Sequence, residues 1–287
     1  MADPITNDNG SIKAIFLKDR IGLWRGGVAP TWKFKVGRFI EGIIFGVVKS
    51  FLFFLAKIFF SWKIDASKNS IIIPEYTYSP WLADSKFQGV WPSLKVNTRV
   101  DEYRAYSLWE LIEQVRHVEG DIIEVGVWRG GSGALMAYKS QLDKIDAKVY
   151  LCDTYEGVVK AGERDPVYKG GEVADTSTQL VEDLLKRYNL ANFEILKGIF
   201  PEDTGHRLEN NKFRLCHIDV DVYQSAKDTL DWVWGRMDVG GVVVFDDYGH
   251  NQCLGVTELV QEESVKPDRI VMHNLNGHAV MVKIKNS

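Results

Sequence analysis

From about residue 99 onwards, apolar positions alternate between helical spacing and short continuous runs. The segment 104–118 has apolar residues at helical spacing and ends at Glu119-Gly120, a stop signal for a helix. The short apolar runs predict buried strands, and the patterns between them predict helices. The predicted strands are 121–127, 147–153, 193–198, 213–221 and 240–247, and the predicted helices are about 131–143, 179–188 and one that ends near 236. This alternation predicts a Rossmann-like α/β fold with a doubly wound, mostly parallel sheet.

The last part of the chain has a different pattern. Two apolar runs, 269–275 and 278–285, flank Asn276-Gly277. Asn-Gly between two apolar runs is the strongest short-range signal for a β-hairpin. We therefore predict that the sheet finishes with an antiparallel C-terminal hairpin, which distinguishes it from the all-parallel dinucleotide-binding fold.

An apolar stretch, residues 39–60, precedes this domain and is long enough to cross a bilayer at about 1.5 Å per residue. Glu41, Lys49 and Lys57 interrupt it, and on a helical wheel they lie with Arg38 on about half of the circle. An amphipathic helix in the plane of a membrane is therefore favoured over a membrane span. Packing of this helix on the domain or on a second subunit is the alternative, so a homo-oligomer stays open.

These patterns divide the chain into three parts. Residues 1–63 form an N-terminal extension, in which residues 36–62 either associate with a membrane or pack on protein. Residues 64–98 contain three prolines and many aromatic residues without a sustained period, and they are typical of an irregular connector or lid. Residues 99–287 form the main domain. Because the first apolar stretch begins too far along the chain for a cleavable leader, we expect a cytoplasmic protein, either free or peripheral on the cytoplasmic membrane face.

Composition narrows the possible partners. The chain has 287 residues, of which 45% are hydrophobic and 26% charged, as in a globular protein with a sizeable core. Its net charge is -4, and no basic stripe interleaved with aromatic residues is present, so nucleic acid is not an expected partner. Cys152, Cys216 and Cys253 lack the spacing of zinc ligands, which indicates neither a zinc site nor a disulfide framework.

Acidic residues follow two of the predicted strands. The motif HIDVDVY holds Asp219 and Asp221, and the motif FDDYG holds Asp246 and Asp247. Taken alone, the first pair could be solvated turn residues or a helix N-cap. If the two strands are neighbours, however, up to four carboxylates converge on one cleft beyond the carboxyl ends of the strands. Such a cluster calls for a hard divalent cation, Mg²⁺ first and Ca²⁺ or Mn²⁺ next.

Three further features lie at strand ends. In EVGVWRGGSG, Glu124, Gly126 and Gly130 form an acid-x-Gly-x-x-x-Gly loop, where glycines let the backbone approach a ligand; a purely structural turn is the alternative. The motif is not the GxGxxG of dinucleotide enzymes. Asp153 ends the next strand, where it could accept both hydroxyls of a ribose or form an Asx turn. Glu202 or Asp203 follows the third strand, and either could line an adenine pocket.

Together, GDIIEVGVWRGGSGALMA, LCDTYEGV and LCHIDVDVYQSAKDTL…MDVGGVVVFDDYG resemble the macrocin O-methyltransferase (TylF/MycF) family of S-adenosylmethionine (SAM) dependent sugar O-methyltransferases. The resemblance covers about residues 95–285. It implies a class I methyltransferase sheet and a sugar or other hydroxyl-bearing acceptor. It implies metal ligands at Asp219, Asp246 and Asp247, a general base at Asp221, and SAM contacts at Thr98, Glu124, Gly126, Ser132 and Asp153.

The chain departs from the family pattern in three places. Val220 stands where members often have glycine, Arg99 follows Thr98 where they have methionine, and residues 1–90 do not match the part that binds the acceptor. The acceptor therefore stays open between a surface polysaccharide, a lipid-linked saccharide and a glycosylated metabolite. A catechol-like or other small-metabolite O-methyltransferase is the alternative enzyme, and a nicotinamide-dependent oxidoreductase or a non-catalytic binding protein is disfavoured. We expect His217 on the strand face opposite the acids and His250 in a loop.

Overall fold

The structure, a computed structural model, describes residues 78–273 and 277–286, together with residues 40, 42–44, 46–52, 54, 55 and 58. The chain divides into two units, Met1–Thr77 and Tyr78–Ser287. In the first unit, the described residues between 40 and 58 are helical, and their apolar side chains are mostly exposed, with Val47 63% and Phe51 59% exposed. No helix among the described residues is long and apolar enough to cross a membrane. The predictions for residues 1–39 and 59–77 lie outside the described residues.

Strands and helices alternate along the described part of the second unit. The α-helices are α1 (Ser85–Leu94), α2 (Glu102–Gln114), α3 (Gly131–Leu142), α4 (Thr178–Arg187), α5 (Tyr223–Trp234) and α6 (Leu254–Glu263). The strands are β1 (Asp121–Val125), β2 (Val149–Asp153), β3 (Phe193–Lys197), β4 (Phe213–Ile218), β5 (Met237–Phe245), β6 (Arg269–His273) and β7 (Ala279–Lys283). Short 3₁₀ turns lie at Pro80–Leu82, Lys95–Asn97, Val115–His117 and Gly205–Leu208.

The seven strands form one sheet in the order β3-β2-β1-β4-β5-β7-β6. Strands β1 to β5 are parallel, whereas β7 pairs antiparallel with both β5 and β6. The mostly parallel sheet and its antiparallel ending are thus confirmed. The order of strands reverses between β1 and β4, and in open α/β sheets ligands bind beyond the carboxyl ends of the strands at such a reversal.

Helix α1 lies in the segment where the sequence predicted irregular chain. The Asp84 carboxylate caps the helix by accepting hydrogen bonds from the backbone N–H groups of Lys86 (2.9 Å) and Phe87 (3.0 Å). Phe87 and Leu94 are completely buried in the core. The described part of the connector is therefore helical and packed on the domain, because its apolar residues recur at helical spacing in spite of the proline at position 92.

Side chains from the strands pack into two layers, one on each face of the sheet. Ile122 and Leu215 belong to the layer that packs against α1 to α4, whereas Ile123 and Cys216 belong to the layer against α5 and α6. Successive residues of a strand point to opposite faces, so this alternation continues to the last residue of each strand. The polar residues at the carboxyl ends are thereby directed to defined sides of the sheet.

Candidate active site

A cavity of about 330 Å³ lies at the carboxyl ends of β1, β2, β4 and β5. It is bounded by the Gly-rich loop after β1, by the acidic residues after β4 and β5, and by the chain that follows β2. Among the predicted site residues, those that line it are Thr98, Gly126, Ser132, Asp153, Asp219, Asp221, Asp246 and Asp247. Glu124 and Asp203 do not line it.

The Gly-rich loop comes very close to the end of β4. Gly126 has a φ angle of +87°, in the left-handed region that favours glycine. A β carbon at position 126 would lie 1.8 Å from the backbone oxygen of Asp219. Any side chain here would force the loop away from the strand that carries the acids, so the glycine is a requirement of the fold at this point.

Asp153 holds the Gly-rich loop in place. Its Oδ2 accepts hydrogen bonds from the backbone N–H groups of Val127 (2.7 Å) and Trp128 (2.9 Å). Its Oδ1 accepts a bond from the N–H of Tyr155 (2.6 Å), which closes an Asx turn. The Asx turn, which was the alternative to ribose binding by Asp153, is therefore present. A carboxylate has about four acceptor positions, so Asp153 retains capacity for a ligand hydroxyl in the cavity.

The structure brings three carboxylates together. Asp219, Asp246 and Asp247 each offer an oxygen, and these oxygens lie within 4.8 Å of one another. Burial, and then the charges of Asp246 and Asp247, raise the pKa of Asp219 well above its ordinary value. Burial, and then the charges of Asp221 and Asp246, raise the pKa of Asp247 in the same way. Since a hard divalent cation relieves this repulsion and prefers oxygen ligands, the donor set fits Mg²⁺.

Asp246 differs from its two neighbours because it already has partners. Its Oδ2 forms an ion pair with the Arg104 guanidinium, and its Oδ1 lies 2.9 Å from Nε2 of His278. Burial opposes ionisation of Asp246, but the neighbouring His217 ring, the hydrogen bond from His278 and the Arg104 charge outweigh it and lower its pKa. Asp246 would therefore interact with both a bound cation and Arg104, whereas Asp219 and Asp247 would interact mainly with the cation.

His217 lies on the same side as the acids, so the expectation of the opposite face is wrong. Its Nδ1 is 2.9 Å from Oε1 of Glu124, and its Nε2 is 3.6 Å from Oδ1 of Asp246. Residues two apart in a strand share a face, which places His217 with Asp219. Burial lowers the pKa of His217, but interactions with the carboxylates of Asp246 and Glu124 outweigh this effect and raise it to about 10. Glu124 is completely buried, and it supports His217 from outside the cavity.

Asp221 has an unusual backbone and a separate set of contacts. Its φ angle is +65°, and its N–H donates to Oδ2 of Asp247 (3.0 Å). The Tyr168 hydroxyl donates to its Oδ1 (2.6 Å). Burial raises the pKa of Asp221, and hydrogen bonds from Tyr168 and Cys253 act in the opposite direction without cancelling the rise. A half-buried carboxylate with a raised pKa, next to a candidate metal site, is suited to accept a proton.

Asp203 lies outside the site. It is exposed, and its Oδ2 accepts a hydrogen bond from the backbone N–H of Ile199 (2.8 Å), four residues earlier. It therefore stabilises its own turn. Contrary to the prediction, it does not line the cavity. His250 is an exposed loop residue, as expected, and lines the cavity.

Three residues at the acids were not singled out from the sequence: Tyr168, Arg104 and His278. Arg104 and Asp246 are 142 positions apart, and no spacing rule connects them. The sequence holds only a weak indication of the role of His278. This residue directly follows the predicted Asn-Gly turn, so it lies at the start of the last strand, next to a neighbouring strand.

The strand order, the Gly-rich loop and the cavity at the reversal define a class I, Rossmann-like methyltransferase fold. Solved structures agree with this. The O-methyltransferase NovP superimposes with a TM-score of 0.58 at 24% identity, covering 66% of this chain and 83% of that one. The calicheamicin methyltransferase CalS11 does so with a TM-score of 0.56 at 14% identity, covering 76% of this chain and 99% of that one.

Residues 75–276, more than half of the chain, match the family model for macrocin-O-methyltransferase (TylF). The chain belongs to this family, which confirms the resemblance seen in the motifs, and it is a SAM-dependent O-methyltransferase. Demethyldecarbamoylnovobiocin O-methyltransferase of Streptomyces niveus is 28% identical over 190 residues, 62% of this chain and 71% of the relative. Mycinamicin III 3″-O-methyltransferase of Micromonospora griseorubida is 29% identical over 176 residues, 56% of this chain and 67% of the relative.

Proposed function

We propose that this enzyme transfers the methyl group of SAM to a sugar hydroxyl, with a divalent cation on Asp219, Asp246 and Asp247 and with Asp221 as the general base. The observation that carries this proposal is the set of three carboxylate oxygens within 4.8 Å of one another, beside Asp221 in the same cavity. The names of relatives support the acceptor class. One relative, from Streptomyces olivaceus and 30% identical over 175 residues, is named for the 4′ oxygen of a rhamnosyl-tetracenomycin.

The cofactor would lie along the Gly-rich loop. Gly126 lets the backbone approach it, and Asp153 and Ser132 line the same part of the cavity. Asp153 fixes the N–H groups of Val127 and Trp128, so the loop is held in shape before the cofactor binds. Holding the methyl donor and the acceptor oxygen in line removes much of the entropic cost of a bimolecular displacement.

Asp221 would take the proton of the acceptor hydroxyl. Asp219, Asp246 and Asp247 would hold a divalent cation, which when bound would lower the pKa of such a hydroxyl. As the carbon–oxygen bond forms, the carbon–sulfur bond breaks, the proton passes to Asp221, and S-adenosylhomocysteine is left. Oδ1 of Asp221 already accepts the Tyr168 hydrogen bond, and its Oδ2 accepts none from the described residues, so Oδ2 is the atom available for the proton.

The test is the Asp221→Asn variant, assayed with radiolabelled SAM and a panel of methyl glycosides that have neighbouring hydroxyls, with catechol included. We expect Asp221→Asn to bind S-adenosylhomocysteine and Mn²⁺ normally in calorimetry and to lose about 10² to 10⁴-fold in turnover, the usual contribution of a general base. Asp238→Asn is the matched control, because Asp238 pairs with Lys212 on the surface, outside the cavity.

Full turnover of Asp221→Asn, or full activity of the wild-type enzyme in EDTA, would contradict the proposed mechanism. Methylation of catechol in preference to every glycoside would identify the small-metabolite alternative.

We further propose peripheral membrane association through residues 36–62. Support comes from the described helical residues between 40 and 58, where Val47 and Phe51 are more than half exposed and Lys49 is also exposed. Co-sedimentation with vesicles that contain anionic lipid tests this. A double substitution of Val47 and Phe51 by Asp should release the protein into the supernatant. If wild-type protein does not bind vesicles and instead shows a concentration-dependent increase in mass, the helix serves self-association.

A further inference from the structure

Tyr168 lies in the chain between β2 and α4, residues 154–177, which we name the β2–α4 connector. The connector is irregular, yet it places Tyr168 against Asp221, which lies 53 positions further along the chain. The Tyr168 hydroxyl donates a 2.6 Å hydrogen bond to Oδ1 of Asp221. The Cys253 thiol, completely buried, lies 3.6 Å from the same oxygen and 3.7 Å from the Tyr168 hydroxyl. One oxygen of the proposed base is therefore held from two sides.

The backbone of Asp221 lies in the left-handed region, with a φ of +65°. Aspartate adopts this region more readily than most residues other than glycine and asparagine, and neighbouring contacts hold it there. The N–H of Asp221 is held by Oδ2 of Asp247, which fixes the backbone. Tyr168 fixes the side chain.

We propose that Tyr168 is the positioning residue of the general base: it occupies Oδ1 of Asp221 and so directs Oδ2 towards the acceptor hydroxyl. This inference rests on the proposed function, in which Asp221 takes the proton. Tyr168 acts through Asp221, and its contribution should be seen in turnover rather than in binding of the cofactor.

The β2–α4 connector is fastened to the elements that follow Asp221. Helix α5 begins at Tyr223, and its N-cap residue supplies no side-chain hydrogen bond. Asp165 of the connector, 1% exposed, takes this role, because its Oδ1 accepts a hydrogen bond from the N–H of Tyr223 (3.0 Å). Lys160 forms ion pairs with Asp228 of α5 (2.7 Å) and with Glu202.

A third contact between the connector and the later helices lies on the surface. Arg164 pairs with Glu262 of α6 (2.8 Å), and its guanidinium lies 4.1 Å from the centre of the Tyr223 ring. Contacts just before Tyr168 in the chain thus bind the connector to α5 and α6. A displacement of the connector would withdraw Tyr168 from the base, so connector position and base orientation are coupled.

The kinetic test compares two tyrosine variants. Tyr168→Phe removes only the hydroxyl and should lower kcat about 10- to 100-fold, the factor that a hydrogen bond to a charged group supplies. The KM for SAM and the affinities for S-adenosylhomocysteine and Mn²⁺ should stay within 2-fold of wild type, by the precision of such assays. Tyr188→Phe is the matched control: its hydroxyl also donates a 2.6 Å bond, to Oγ of Ser93, but outside the cavity and away from the connector. It should change kcat less than about 2-fold.

The double variant separates positioning from general support of the fold. In the Asp221→Asn background, Tyr168→Phe should cause little further loss, because the group that it positions no longer acts. A multiplied loss, or weaker S-adenosylhomocysteine binding by Tyr168→Phe alone, would overturn the inference. If Asp221→Asn itself keeps full turnover, the proposed function fails first. If Asp221→Asn loses turnover and Tyr168→Phe does not, only the inference fails.

Hydrogen–deuterium exchange tests the same contact without an acceptor. Tyr168→Phe and Asp221→Ala should each speed exchange in peptides from the β2–α4 connector, and the double variant should exchange no faster than either single variant. Unchanged exchange in Tyr168→Phe would show that the hydroxyl does not hold the connector to the base, and it would overturn the coupling.

Discussion

Gly126 and Asp219 are in direct backbone contact, so close that a β carbon on Gly126 would lie 1.8 Å from the Asp219 carbonyl oxygen. The contact joins the Gly-rich loop, where the cofactor is expected, to the strand end that begins the acid cluster. The two halves of the cavity therefore share one wall, and we expect a change in the loop to displace the acids.

Gly126→Ala should destabilise the protein more than its backbone angle alone explains. Gly171 has almost the same φ, +88° against +87°, but a β carbon there meets nothing within 4 Å. Gly171→Ala should cost about 1–2 kcal/mol for the left-handed backbone. Gly126→Ala should add about 1–3 kcal/mol of overpacking. Chemical unfolding of both variants measures the difference, and equal losses would show that the loop moves aside without cost.

Asp153→Ala and Ser132→Ala should separate loop support from cofactor contact. Asp153 holds three backbone N–H groups, so its removal should cost about 1–3 kcal/mol of stability and also weaken binding of S-adenosylhomocysteine. Ser132 lines the cavity at 4% exposure, and its hydroxyl has no hydrogen bond within the described residues. Ser132→Ala should therefore weaken binding with little change in melting temperature. Calorimetry and thermal unfolding are the measurements, and a loss of stability in Ser132→Ala would contradict this division.

Asp219→Asn should stabilise the protein in EDTA. The half-buried Asp219 carboxylate lies beside Asp246 and Asp247, and the rise in its pKa indicates that its charge is unfavourable there. Removing this charge should raise the melting temperature by about 2–4 °C for each kcal/mol of repulsion relieved. In wild type, MgCl₂ should raise the melting temperature, whereas in Asp219→Asn it should have little effect. A lower melting temperature for Asp219→Asn in EDTA would mean that the acids do not repel one another.

Sequence patterns predict the sheet and the location of the acids because both depend on short-range regularities. Apolar runs identify β1 to β5, and Asn276-Gly277 identifies the hairpin. The topology of parallel sheets then directs Asp219 and Asp246 to one edge. The same regularities were available for two features that were missed. The spacing of Phe87 and Leu94 is helical, and a period of two places His217 with Asp219.

The remaining features depend on contacts that no local pattern encodes. Tyr168 reaches Asp221 from an irregular connector, and Arg104 reaches Asp246 across 142 positions. Aspartate tolerates the left-handed backbone of Asp221, but the contacts of Asp221 with Asp247 and Tyr168 form only in the assembled site. Sequence patterns thus predict which acids are present, whereas the folded chain determines which of their oxygens are free.

Strand β7 lies between β5 and β6 in the sheet, although it follows both in the chain. During synthesis, the ribosome therefore releases β5 and the acids Asp246 and Asp247 before β5 has its outer neighbour and before His278 reaches Asp246. The unpaired edge of β5 stays open until β7 emerges, and such an edge is a site for mispairing with other chains. A nascent chain halted before residue 279 would hold all four acids and still lack the strand that completes their surroundings.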